Sequence, residues 1–129
     1  MRLTEAEWRI MGQVWDRHPT TAREVLEGLG PDSSWAYSTV KTMLARLAEK
    51  GALAVMMRAN TSVYEPLLER SEARRAALTG VLKTAFGGAL GSMVHMLLDE
   101  TELSSGDREE LRRRLAALDR ETAAGEDSP

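Results

Sequence analysis

Between Trp35 and Pro66 the chain reads WAYSTVKTMLARLAEKGALAVMMRANTSVYEP, and its polar side chains recur at helical spacing. Ser38, Thr42, Ala45 and Glu49 fall on one helix face, flanked by Thr39, Lys41 and Arg46. These side chains are short or cationic, and most can hydrogen-bond. Such a face slides into a DNA major groove, because nothing bulky holds it away from the base edges. Thr39, Lys41 and Thr42 are expected at base edges or nearby phosphates. Arg46 and Lys50 are expected at phosphates, contacts that position a protein without specifying sequence. Tyr37, at the helix start, either offers its hydroxyl to a phosphate or sits as a partly buried terminal ring. Arg58 is the cation of the turn that follows. On their own these residues describe a solvated helix face, and the elements around them decide what the face does.

The opposite side of the same helix carries Val40, Met43, Leu44 and Leu47 at i, i+3, i+4, i+7, a face that packs onto a core. Two helices should precede it. Thr4 and Glu7 form a T-x-x-E capping box, Leu3 can staple against Trp8, and Trp8, Ile10, Met11, Val14 and Trp15 make an apolar stripe ending near His18-Pro19. Thr21 and Glu24 open a second helix whose Val25, Leu26 and Leu29 face inward, with Gly30-Pro31 as its stop. A loop from Asp32 to Trp35 leads into the third helix, and Gly51 ends it. Leu53 to Met57 and Ser62 to Tyr64 then read as a hairpin around Arg58-Ala59-Asn60-Thr61. Three helices followed by a β-hairpin are the order of a winged helix-turn-helix.

Beyond Pro66 the pattern is helical. A helix from about Ser71 to Phe86 is broken by Gly87-Gly88, Leu90 to Leu98 forms a short Met-rich one, and Ser104 caps a last one with Asp107 in the capping-box position. Leu78, Val81 and Leu82, then Leu90, Met93, Val94 and Leu97, then Leu111, Leu115 and Leu118 give these helices apolar sides too thin to bury one another. Interleaving with a second copy buries both sets, so a homodimer is expected. A dimer also suits DNA, because two recognition helices one helical turn apart read a palindrome. The fold class is therefore mainly α with a small β-wing. Residues 1–68 form the winged DNA-binding domain, 69–121 a helical dimerisation region, and 122–129 a small, polar, acidic tail expected to be disordered.

Composition limits the alternatives. The 129 residues contain no Cys, which excludes disulfides, thiolate metal sites and Cys nucleophiles. The net charge of −3 excludes a general nucleic-acid coat but not a local binder. From Trp35 to Asn60 the cations Lys41, Arg46, Lys50 and Arg58 face Glu49 alone, a local charge of +3. The N-terminus MRLTEAEW lacks a signal-peptide core, and the apolar run Ala89 to Leu98 is interrupted and too short to span a bilayer. A cytoplasmic protein without membrane insertion is expected. No glycine-rich phosphate loop and no His–carboxylate–nucleophile grouping is present, so neither an enzyme nor a cofactor is expected. His95 and Asp99, at i, i+4, are too few for a metal site. Trp8 and Trp15 belong to the core stripe, and Trp35 packs beneath the third helix or touches the backbone.

Five segments, in this order, resemble the penicillinase and methicillin-resistance repressor family (BlaI/MecI), which also has copper-responsive members: LTEAEWRIMGQVW, WAYSTVKTMLARLAEKGAL, VYEP, FGGALGSMVHMLLDE and LSSGDREELRRRL. They run from Leu3 to about Leu115, and T-V-K-T-M-L-x-R-L-x-x-K-G is the most specific. The resemblance implies a dimeric transcriptional repressor of β-lactam-resistance or related stress genes. It also implies relief of repression by a membrane-bound sensor system that leads to cleavage in the C-terminal region. Three departures stand out. The family's basic Gly-Arg wing tip is replaced by Met57-Arg58-Ala59-Asn60. Its Asn-Phe scissile bond is matched by Met96-Leu97. The Cys-rich tail of the copper-responsive members has no counterpart. The competing expectation is a winged-helix protein-interaction module that uses the same fold without DNA.

Overall fold

Thr4 opens α1, Glu5–Asp16: its hydroxyl accepts from the Glu7 N–H while the Glu7 carboxylate accepts from the Thr4 N–H. Thr21 and Glu24 repeat the device for α2, Ala22–Leu29. α3, Tyr37–Glu49, begins at Ala36 without a side-chain cap. It ends where Gly51, at φ 87°, lets the Ala52 N–H reach the Leu47 carbonyl at 2.9 Å and the Gly51 N–H reach that of Ala48 at 3.1 Å. That is a Schellman stop, and its left-handed residue favours glycine. The computed structural model describes residues 1–31, 34–99 and 103–126, with side chains through 120. Asp32 and Ser33 of the expected loop, and residues 127–129 of the expected tail, lie outside the described residues.

β1, Leu53–Arg58, pairs antiparallel with β2, Thr61–Pro66, in the register Leu53↔Pro66 to Arg58↔Thr61. Ala59 and Asn60 turn the chain with φ 48° and 66°. Two successive positive φ values mark a type I′ turn, whose twist matches that of the strands it joins. The sheet gains a partner the sequence did not announce. Thr20, just before α2, bridges Tyr64 through two backbone hydrogen bonds of 3.1 and 2.7 Å. This fastens the wing to the helical body.

The core gathers Ile10, Met11 and Val14 of α1, Val25 of α2, Val40, Leu44 and Leu47 of α3, and Ala52, Leu53 and Tyr64 of the wing. Each leucine or isoleucine so buried contributes roughly 1.5–3 kcal/mol. Leu3, Trp15, Leu26, Leu29, Trp35 and Met43 pack around it, half-buried. Most of the apolar positions counted from the sequence are in the core or packed on it, Trp35 included, whereas Trp8 lies outside it, tilted against the Trp15 ring at 5.7 Å.

α4, Arg70–Phe86, starts as a fixture of the winged part. The Arg70 guanidinium lies over the Trp15 ring, pairs with Asp16 at 2.6 Å and donates to the Gly12 carbonyl at 3.3 Å. The Trp15 indole N–H donates to the Leu68 carbonyl at 2.9 Å, and Ala73 is buried. The first compact unit spans Met1–Gly80 and so includes the first part of α4. The second unit, residues 81–129, holds the end of α4, then α5, Leu90–Asp99, and α6, Ser105–Glu126. Gly87 and Gly88, both at positive φ, break the chain before α5, and the Ser104 hydroxyl accepts from the Asp107 N–H at the start of α6. α6 continues through Glu126, past residue 121, so residues 122–126 are helical where a disordered tail was expected. Among the described residues no single helix is long and apolar enough to cross a membrane.

Candidate nucleic-acid interface

With Val40, Leu44 and Leu47 committed to the core, α3 has only one face left to offer. Ser38, Thr39, Lys41, Thr42, Ala45, Arg46 and Glu49 are all exposed on it. The Thr42 hydroxyl donates to the Ser38 carbonyl at 3.0 Å, within the helix. Its methyl group and both hydroxyl lone pairs stay available to a base edge. Among the described residues no side chain caps the α3 N-terminus, where the positive end of the helix dipole lies.

Tyr37, at the start of α3, is 41% exposed. The Arg23 guanidinium lies over it at 5.2 Å and the Lys41 ammonium at 5.7 Å. Both cations, with Thr21, Ala22, Asn60, Thr61, Ser62 and Tyr64, line a polar cleft of about 380 Å³ where the starts of α2 and α3 meet the wing. Arg23 escaped the sequence reading. It stands inside a capped helix start where a charged residue is unremarkable, and only the fold brings it to Tyr37. Arg58 is exposed at the end of β1 and is not among the residues lining this cleft. Arg46 lines a different, shallower cleft toward the start of α1, beside Met43 and Glu49. The α3 cations therefore flank the helix on two sides.

Lys50 does something other than expected. Its ammonium holds both Glu7 carboxylate oxygens, at 2.9 and 2.8 Å, and donates to the Arg2 carbonyl at 3.2 Å. Glu7 is buried, and an unpaired carboxylate there would be costly. Burial pushes the Glu7 carboxyl up, but the Lys50 hydrogen bond and charge, with the Thr4 N–H and hydroxyl, outweigh it and hold it below its ordinary value. Lys50 thus ties the end of α3 to the start of α1, with its side chain 38% exposed.

Of the residues expected at a dimer contact, Leu78, Val81, Leu90, Leu97, Leu115 and Leu118 are exposed, and Leu82, Val94 and Leu111 are half-buried. Met93 is the exception. It is already covered within the chain and has little area left for a partner. Met96 and Leu97, the pair at the expected cleavage position, are both exposed and both inside the helical turn of α5. His95 Nδ1 and Asp99 Oδ2 lie 2.6 Å apart, both exposed.

The model of the penicillinase repressor family matches residues 3–117. The penicillinase repressor of Bacillus licheniformis is 31% identical over 110 residues, 85% of this chain and 86% of that protein. The methicillin resistance regulatory protein MecI of Staphylococcus aureus is 25% identical over the same length, 85% of this chain and 89% of its own. Among solved structures, the monomeric form of Bacillus licheniformis BlaI in complex with the blaP half-operator is similar, with 32% identity and a TM-score of 0.48. It covers 56% of this chain and 88% of that one.

Proposed function

We propose that this chain, which belongs to the penicillinase repressor family, is a sequence-specific transcriptional repressor that binds a palindromic operator as a homodimer. The outer face of α3 carries this reading. It is short, polar and cationic on a helix whose other face is locked in the core. In this reading Ser38, Thr39 and Thr42 meet base edges, and Lys41, Arg46, Arg58 and Tyr37 meet the backbone.

The second unit supports the dimer. Val81, Leu90, Leu97, Leu115 and Leu118 are all at least 41% exposed in a single chain, an area that water disfavours. Burying a handful of such side chains per copy, at roughly 1.5–3 kcal/mol each, is enough to secure association. Residues 1–68 then serve as the DNA-binding domain and 69–121 as the dimerisation region.

Derepression works through the dimer. A cut at Met96-Leu97, prompted by a membrane sensor system, severs α6 with Leu111, Leu115 and Leu118 from the DNA-binding domain. That bond is helical, so α5 must open before a protease can hold it extended. Once α6 is lost, two half-site contacts no longer act as one, and an advantage on the order of 10²–10⁴ in affinity disappears.

The test is to let the purified chain select duplexes from a pool of genomic fragments, then to follow band retardation at rising salt and mass by sedimentation. Enrichment of a palindrome and a mass twice that of the chain are expected. A protein-interaction module would retard no duplex.

A further inference from the structure

The polar cleft between α2, α3 and the wing has two features that a merely solvated surface does not require. It gathers two cations, Arg23 and Lys41, over a single phenol ring, and among the described residues no carboxylate lines it. Like charges brought together without a counter-charge repel, and here only the ring quadrupole holds them, at about 0.5–1 kcal/mol each on an exposed site. The two acids of α2, Glu24 and Glu27, line a different cleft, and Glu24 is committed there. It accepts from the Thr21 N–H and hydroxyl and pairs with Arg17. The missing partner of the cleft is therefore an anion. Its hydrogen-bonding groups are also ready to receive one. The Ser62 hydroxyl presently donates to the Met57 sulfur at 3.5 Å, a weak acceptor that a phosphate oxygen would displace. Asn60 adds a side-chain amide from the wing turn.

We infer that the Arg23–Tyr37–Lys41 group is a preformed seat for one phosphate of the DNA backbone, placed where the recognition helix meets the wing. Arg23 grips the phosphate through its planar fork. Tyr37 is a positioning residue that keeps Lys41 turned to the backbone and away from the base edges. Sequence reading is then left to Ser38, Thr39 and Thr42, and Lys41 contributes affinity without specificity. The seat compensates for a wing whose one cation, Arg58, stands outside the cleft. It rests on the operator-binding reading above and adds to it a division of labour along α3.

The experiment uses the full-length chain and the duplex it enriches most from a random-sequence pool. Arg23→Gln should weaken binding about tenfold, the loss of one charge-assisted contact. It should also lower the slope of log affinity against log salt by about 0.9. A repeat selection with R23Q should return the same sequence, and Arg23→Lys should restore most of the slope. Lys41→Ala should behave like R23Q, and Tyr37→Leu should lose part of the Lys41 contribution. Replacing backbone phosphates one at a time by neutral methylphosphonates should reveal one position that weakens the wild-type chain and has no further effect on R23Q. The urea midpoint of R23Q should equal that of the wild type, because Arg23 is exposed. An unchanged salt slope in R23Q, a changed selected sequence, or a parallel loss of stability and binding would each overturn the seat while leaving operator binding intact. A wild-type chain that enriches no duplex would remove the operator reading, and the seat with it.

Discussion

Lys50 offers a sharp test, because its charge was expected on DNA and the structure places it on Glu7. Lys50→Met keeps the length of the side chain and removes the ammonium. Glu7 then stays buried, at 5% exposure, with only the Thr4 N–H and hydroxyl to support its charge. Breaking a fully buried ion pair costs about 3–5 kcal/mol. Here Lys50 is 38% exposed, so solvent screens part of the interaction. A loss of about 1–3 kcal/mol at neutral pH is the discounted expectation. Its pH dependence has a definite sign. The folded Glu7 carboxyl lies below its ordinary value of 4.5, so its contribution to stability is present above that value and fades as pH falls through the folded one. In K50M the upward push of burial is no longer outweighed, the carboxyl protonates more readily, and the gap between variant and wild type narrows in acid. Urea unfolding of both proteins at pH 7 and in a series down through the carboxylate range measures this. K50M within about 0.5 kcal/mol of wild type at pH 7, the scatter of ordinary surface substitutions, would refute the reasoning. So would a gap that fails to narrow in acid. The same variant should keep the wild-type salt slope for DNA, since Lys50 touches no phosphate in this account.

Four further outcomes are expected. Arg46→Ala should weaken operator binding nearly equally across sequences and reduce the salt slope by about 0.9, whereas Thr42→Ala should shift the selected sequence; band retardation and repeat selection read both. Leu115→Glu with Leu118→Glu should convert a dimer to a monomer in sedimentation, because each places a charge on a face that must be dry. Ala59→Gly should raise the urea stability of the winged unit by about 1 kcal/mol, since Ala59 holds φ 48° at a position glycine occupies without strain. A foreign protease site inserted between Val94 and Leu98, once cut, should leave monomers whose operator affinity is lower by a factor on the order of 10²–10⁴. A cut protein that stays dimeric and binds at full strength would end the derepression account.

What could be read from the chain alone was whatever is decided within about one helical turn or one hairpin. The capping boxes at Thr4/Glu7 and Thr21/Glu24, the stop at Gly51, the break at Gly87-Gly88 and the turn at Ala59-Asn60 all lie where residue types and spacing put them. Each depends on hydrogen bonds or backbone angles among near neighbours. The α3 core face was legible for a related reason: helical periodicity turns a linear pattern into a surface. Tertiary structure alone decided where the distant partners meet. Thr20 bridges Tyr64, Trp15 reaches the Leu68 carbonyl, Arg70 pairs with Asp16, and Lys50 closes on Glu7. Arg23 and Tyr37, on different helices, come together only when α2 packs beside α3. A long cationic side chain carries no mark in the sequence of whether its charge ends on a buried carboxylate, an aromatic ring or a phosphate. That choice follows from desolvation, because the fold buries Glu7 and so assigns Lys50 to it, and leaves Arg23 and Lys41 exposed in a cleft with no carboxylate among its described lining residues.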